Sequence, residues 1–400
     1  MLQNMPDLQH LVLAGNDISQ LDQSSMPNTL RHLHLGRNKL THLNGTLRDL
    51  TDLEWLFLNG NQLTTLDEQL PREGNKLALI HAGNNKLQKL PQDLRNFISI
   101  ESLFFQDNEL PNLGGTVQRA RKLKRLHLFH NKIQELMPDD FIDLDSLEDL
   151  QLGHNRLTTL NGSLAPLRSL RCLNITNNLF EEFSFQEIRG LRRLRIIDLS
   201  HNKVSHLTGQ MENLVEPETR IVELRLDHNL LRALDGALMG VHGLQKLNLS
   251  NNLLENIAPD DLIGLEDLRI LDISFNRLTT LEETSKTFLP SLEYLYASHN
   301  SLTALRQDFH GLPSLCWADL SDNMIQTIER DLASKTRCRI HGLPGVLRVY
   351  LLGNPVQCNM QLLETIAAME ANYTKLHGLA PCTPLIAPVE ITSVVTASAA

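Results

Sequence analysis

The 400-residue chain is poor in aromatic residues, 4% of the total, and holds only five cysteines. Scarce rings exclude a core built on large aromatic side chains, and five cysteines with no C-x-x-C exclude a disulfide-dense scaffold. No apolar run is long enough to cross a bilayer as a helix. The opening MLQNMPDLQH lacks the basic start and apolar stretch of a signal peptide, and the mildly apolar tail carries Glu390 and makes a poor lipid-anchor signal. Positive charge is short as well. A net charge of −10 with no dense Lys/Arg run repels phosphate backbones and anionic lipid, so neither nucleic acid nor membrane insertion is expected. The patterns G-x-S-x-G, G-x-x-x-x-G-K-[ST], H-E-x-x-H and G-x-G-x-x-G are all absent. No catalytic residue, cofactor or metal is therefore expected.

What is present is leucine, in a repeating pattern that overrides any domain count based on length. Each copy reads L-x-x-L-x-L-x-x-N-x-L and closes on an asparagine: Asn16, Asn38, Asn61, Asn85, Asn108, Asn131, Asn155, Asn178, Asn202, Asn229, Asn252, Asn276, Asn300, Asn323 and Asn354. The spacing is 22 to 24 residues, except for intervals of 27 before Asn229 and 31 before Asn354, whose extra length is expected to bulge as loops.

L-x-x-L-x-L alternates with the period of a short strand, leucines inward and x residues outward. One copy carries it as Leu123, Leu126, Leu128, Asn131 and Ile133. The asparagine amide, set at the bend after the strand, can both donate to and accept from neighbouring backbone, where an unpaired group costs about 1 to 3 kcal/mol. A single coil cannot bury its own leucines, so stacking must create the core. The fold class expected is α/β: a right-handed, curved solenoid with a parallel concave sheet of about fifteen strands, roughly 70 Å long at about 4.8 Å per strand.

On these residues the chain resembles the leucine-rich-repeat superfamily over residues 8 to 356. The segments Asp139 to Leu147 (D-D-F-I-D-L-x-S-L) and Asp308 to Leu315 (D-F-H-G-L-P-S-L) resemble its extracellular branch, that of Toll-like, chaoptin-like and acid-labile-subunit-like proteins. Gly353 to Leu363 and Ala380 to Leu385 are similar to the family's cysteine-bearing C-terminal cap in a degenerate form, with Met360 at the place of a cysteine. The resemblance implies a Cys358–Cys382 bridge, a helix from Gln361 to Glu370 over the last coil, and an oxidising compartment. The organisation expected is a partial uncapped repeat at 1–7, the repeats at 8–356, a cap at 357–385 and a disordered tail at 386–400. The chain opens partway through a repeat, with Leu2 and Met5 in leucine positions, and reads as a fragment lacking its signal peptide and N-terminal cap.

The outward x residues can be read as columns. Trp55, Phe57, His81, Phe104, His127 and Phe129 populate the first repeats, with the middle column running His34, Phe57, His81, Phe104, His127. A polar stretch that includes Asp149, Asp198, Glu223, Arg225 and Lys246 follows, and Tyr294, Tyr296, Trp317 and Tyr350 close the series. Eight of the eighteen Phe, Trp and Tyr residues fall on this face, where chance would put about two, so both ends are candidate ligand-binding surfaces.

His130, His154, His201, His228 and His299 precede ladder asparagines and read as family consensus. His10 and His32 share a column, with His34 on the same face; they read as polar surface, with a pH-responsive binding patch and a zinc site as the alternatives, the latter opposed by the nearly 7 Å two-residue spacing on a strand and by the lack of a converging carboxylate or cysteine. Sequons occur at Asn44, Asn161, Asn174, Asn248 and Asn372, candidates for N-glycosylation. Asn44-Gly45 and Asn161-Gly162 also match a recurring turn, shared with Asp235-Gly236. Cys316 and Cys338 pair if the last insertion folds back and otherwise stay as thiols, whereas Cys172 reads as a free thiol on the concave face. The resemblance implies a protein-recognition module, extracellular or at the cell surface, with a protein ligand or partner receptor and room for a homodimer. The alternative is a cytoplasmic scaffold or regulatory subunit of an enzyme.

Overall fold

The computed structural model describes residues 5–382 apart from 24, 74–75, 210–219, 283–285 and 341. One parallel sheet of sixteen short strands, from His10–Val12 to Thr374–His377, runs the length of the molecule in chain order. The strands pair without offset, Leu33 opposite Leu56 and Leu56 opposite Ile80, so the inward leucines form one continuous row. The middle residue of a typical strand is buried while its neighbours look outward, as in Arg125-Leu126-His127. From the same coil Leu123, Leu128, Ile133, Leu136, Phe141 and Leu144 are fully buried. Each such side chain stabilises the fold by about 1.5–3 kcal/mol once covered, and the cover comes from the coils on either side.

The asparagines form the expected ladder. Asn155 Oδ1 accepts from the Ile133 amide at 3.0 Å, while its Nδ2 donates to the carbonyls of Leu128 and Leu152, both at 3.0 Å. Asn61, Asn300 and Asn354 make the same three bonds. Immediately before each ladder asparagine the backbone turns left-handed. Gly15, Gly60 and Gly353 take that slot in three coils, and Arg37, Asn84, Asp107, His130, His154, Asn177, His201, His228, Asn251, Phe275, His299 and Asp322 in the others, with φ between 50° and 55° for the non-glycines. Asn, Asp and His tolerate this region better than most residues, which gives the pre-asparagine histidines a backbone reason.

Three features were not foreseen. The cap contributes a sixteenth strand, Thr374–His377, which pairs with Leu347–Tyr350 beyond the expected helix, found at Met360–Ala371. Short strands also pair on the outer side of the coils, Glu182–Ser184 with His206–Thr208 and Ala304–Leu305 with Thr327–Ile328. Buried carboxylates hold the outer turns: Asp261 accepts from the Gly236 amide at 2.8 Å and the Ala258 amide at 2.7 Å, although burial pushes its pKa up.

The extra length of the 31-residue interval folds into a hairpin, Arg339–Ile340 against Leu343–Pro344. A Cys316–Cys338 disulfide ties it to the sheet, which resolves that open pairing. Cys358 and Cys382 are bridged as the cap resemblance implied, and Cys172 is free. Leu2, the bulk of the loop expected in the 27-residue interval, the cap boundary at 385 and the tail at 386–400 lie outside the described residues. No helix among the described residues is long and apolar enough to cross a membrane.

Replacing Asn155 by alanine strands the Ile133 amide and removes one of the two asparagine donors from each of the Leu128 and Leu152 carbonyls, so a urea titration is expected to show a loss of about 1–3 kcal/mol. His154→Asn, which keeps a tolerant residue in the left-handed slot, should leave the midpoint nearly unchanged. Alkylation of the unreduced, denatured chain is expected to label Cys172 alone; uptake at any other cysteine would show a bridge to be missing.

Candidate functional site

Parallel pairing without offset brings outward residues of successive coils into line, and the rings of the middle column touch. Ring centroids lie 5.0 Å apart for His34–Phe57, 6.2 Å for Phe57–His81, 5.5 Å for His81–Phe104 and 4.8 Å for Phe104–His127. The run then leaves the column, through His127–Phe129 at 6.2 Å, Phe129–His130 at 5.5 Å and His130–His154 at 4.1 Å. Eight rings thus form one track, and it includes His130 and His154, which sequence reasoning had set aside as consensus. Mostly tilted or edge-to-face contacts suit the charge distribution of aromatic rings, and they leave Phe57, His81, Phe104 and His127 half-buried.

A second, shorter track runs beside it. His32 stacks on Trp55 at 4.0 Å, nearly parallel, and His10 Nδ1 lies 2.8 Å from His32 Nδ1. Trp55 remains 45% exposed, the most open ring among the ligand-binding candidates, and is therefore the natural anchor. His34 belongs to the other column, so the three N-terminal histidines do not converge. The expectation that no carboxylate approaches them needs correction, since Glu54 Oε2 lies 3.8 Å from His32 Nε2.

Polar groups pin the long track. Gln106 Nε2 lies 3.0 Å from His81 Nε2, and a Cβ on Gly83 would stand 2.6 Å from that amide nitrogen, so only glycine leaves room for the contact. Burial, helped by the nearby His34 and His127, holds the His81 imidazole below its ordinary value of 6.5. His127 Nε2 lies 3.0 Å from Asp149 Oδ2. Burial alone would raise the Asp149 carboxyl, but the bonds from His127 and Gln151 outweigh it and hold the group low.

Beyond Asp149 the face neutralises itself. Arg225 reaches Asp198 at 3.3 Å and Glu223 at 2.5 Å, and Lys246 lies 3.7 Å from Glu223. Cys172 lies in this stretch, half-buried, its thiol pushed up by burial and by Asp149. At the C-terminal end Trp317 packs on Tyr350 at 4.3 Å, and Tyr350 stacks on His377 at 4.9 Å. His377, from the unforeseen sixteenth strand, escaped sequence reasoning because nothing in Thr-Lys-Leu-His marks a further coil. Trp317 Nε1 and His377 Nε2 are buried with no hydrogen-bond partner. Tyr294 lies directly opposite Trp317 on the neighbouring strand, whereas Asp319 stands between Tyr296 and Tyr350 in the column.

The sequon asparagines are engaged. Asn44 and Asn161 donate to the carbonyls of Leu21 and Leu136, at 3.1 and 3.2 Å, from left-handed turns that Asp235 repeats. Asn174 accepts from the Thr176 amide and Asn248 donates to Asp227, while Asn372 ends the cap helix. A cleft of about 570 Å³ lies away from the rings, lined by Arg168, Arg189, Arg192 and Arg193 with Ser169, which supplies positive charge without a paired base and nucleophile.

No curated protein matches the chain. Among solved structures it is similar over 94% of its length to a leucine-rich-repeat protein of Leptospira interrogans, covering 97% of that chain at 25% identity and a TM-score of 0.71. The leucine-rich-repeat domain of APL1 is similar over 91% of this chain and 89% of its own, at 23% identity and a TM-score of 0.65. Drosophila Toll, in its complex with Spatzle, is similar over 84% of this chain but only 44% of Toll, at 22% identity and a TM-score of 0.67. The family model described as leucine rich repeat matches residues 6–63, 121–180, 219–278 and 266–325. Those matches span more than half of a chain whose coils all close on the same asparagine ladder, and the chain belongs to the leucine-rich-repeat family.

Proposed function

We propose that the chain is a non-catalytic recognition module that grips a protein ligand with the N-terminal half of its concave face. The observation that carries this reading is the continuous eight-ring track from His34 to His154, flanked by the exposed Trp55. Rings fixed by one another bind with little loss of conformational freedom, and aromatic anchors on a solvent-facing surface dominate protein interfaces. The polar middle of the sheet is already paired with itself and offers a partner less. Similarity to Toll, whose solved structure is a complex with Spatzle, supports a protein ligand of the same broad kind.

The site of action proposed is outside the cell or on its surface, supported by the two disulfides, which persist in oxidising compartments. The five sequons are proposed glycosylation sites on that reading. A cytoplasmic scaffold would have to keep Cys316, Cys338, Cys358 and Cys382 reduced. A second binding surface is favoured by one observation, the Trp317–Tyr350–His377 ring stack at the C-terminal end of the same face.

With a partner captured by the wild-type chain and re-measured in purified form, Trp55→Ala with Phe57→Ala is expected to lower affinity at least about tenfold. The same variant should melt cooperatively within several degrees of the wild type. Unchanged affinity would reject the N-terminal surface and turn attention to Trp317→Ala with Tyr350→Ala.

A pH dependence follows from His81. Its folded value lies below the unfolded one, so the fold favours the neutral ring; this contribution is complete above 6.5 and is lost as pH falls through the folded value. Melting temperature and partner affinity are expected to drop together on acidification from neutrality, with a smaller drop in His81→Gln. An equal drop in that variant would assign the effect to another group.

A further inference from the structure

At two successive coils the left-handed slot before the ladder asparagine holds His201 and His228, with φ of 53° and 55°. Their rings stack with centroids 4.0 Å apart. Asp227, mostly buried beside them, places Oδ2 at 3.2 Å from His228 Nδ1. Its other oxygen accepts from Asn248 Nδ2 at 3.1 Å, which fixes the plane of the carboxylate. One nitrogen from each ring and one carboxylate oxygen lie within 4.8 Å of one another, and no other such trio comes together among the described residues.

We propose that His201, His228 and Asp227 form a binding site for a divalent cation of the zinc class. Two imidazoles and a carboxylate are a ligand set that zinc accepts, and three protein ligands leave a fourth position to water or to a partner's side chain. Tetrahedral bonds of about 2.0–2.1 Å require donors about 3.4 Å apart, so small rotations of the two open rings close the set without moving backbone. The Asn248 bond is the kind of outer support that orients a ligating carboxylate. Arg225, two residues before Asp227, does not oppose the ion, because its charge is committed to Asp198 and Glu223.

The neighbouring histidine pair shows what the site requires. His130 and His154 also pack at 4.1 Å, but Asp107 meets His130 from one side while Asn177 lies 3.3 Å from His154 on the other, so no third anionic donor joins both rings. The sequence hides this distinction, because both pairs read simply as histidine before asparagine.

The test titrates the full chain with zinc chloride in a calorimeter, free of chelators, using His10→Ala to silence the close His10–His32 pair. Saturable uptake of one ion is expected, with a raised melting temperature. His201→Asn and His228→Asn keep the left-handed slot filled by a residue that occupies it at Asn177 and Asn251, and each should weaken binding at least about tenfold. His299→Asn, in the same slot elsewhere, should not. No saturable uptake below about 1 mM, or equal affinity in the His201 and His228 variants, would overturn the site.

Discussion

The asparagine amide shared between consecutive coils is the constraint on which the molecule depends. A chain that turns through a bend at every repeat leaves backbone groups facing inward, away from water. Asn155 satisfies the Ile133 amide by itself and shares the Leu128 and Leu152 carbonyls with the ladder asparagines before and after it. That geometry also forces the preceding residue into the left-handed region, so each coil carries one residue chosen for backbone tolerance. Phe275, a poor choice by that criterion, is offset by stacking on His299 at 4.1 Å.

Because the ladder holds every coil in the same register, outward side chains have no freedom to choose their neighbours. Histidine beside phenylalanine in adjacent coils becomes ring against ring, and the surface acts as a connected object rather than a set of separate contacts. The bond between His127 and Asp149 closes the long column where the polar stretch begins. Charge on one imidazole is therefore felt along the column, as the effect of His34 and His127 on His81 shows.

Much of this could be read from the sequence, for a physical reason. Period-two alternation fixes which side chains face inward, and a repeating asparagine fixes the register, so the columns of Phe57, His81 and Phe104 follow without coordinates. The cap helix was equally legible from its likeness to a known cap. What escaped depends on contacts across columns or on short segments with no pattern of their own. His130 joins the ring track only because Phe129 leans towards it, and His201 meets Asp227 only through the stacking of unlike coils. The strand Thr374–His377 is too brief to announce itself, and it forms because Leu347–Tyr350 offers an open edge.

The uniform rise of the sheet makes the molecule a gauge. Trp55 stands on the third strand and Trp317 on the fourteenth, eleven steps apart, or roughly 50 Å along the curve at about 4.8 Å per step. Deleting one coil would shorten that interval by a single increment and rotate one aromatic cluster relative to the other, while leaving each intact. Any ligand that engages both clusters is thus selected for its length as well as for its chemistry.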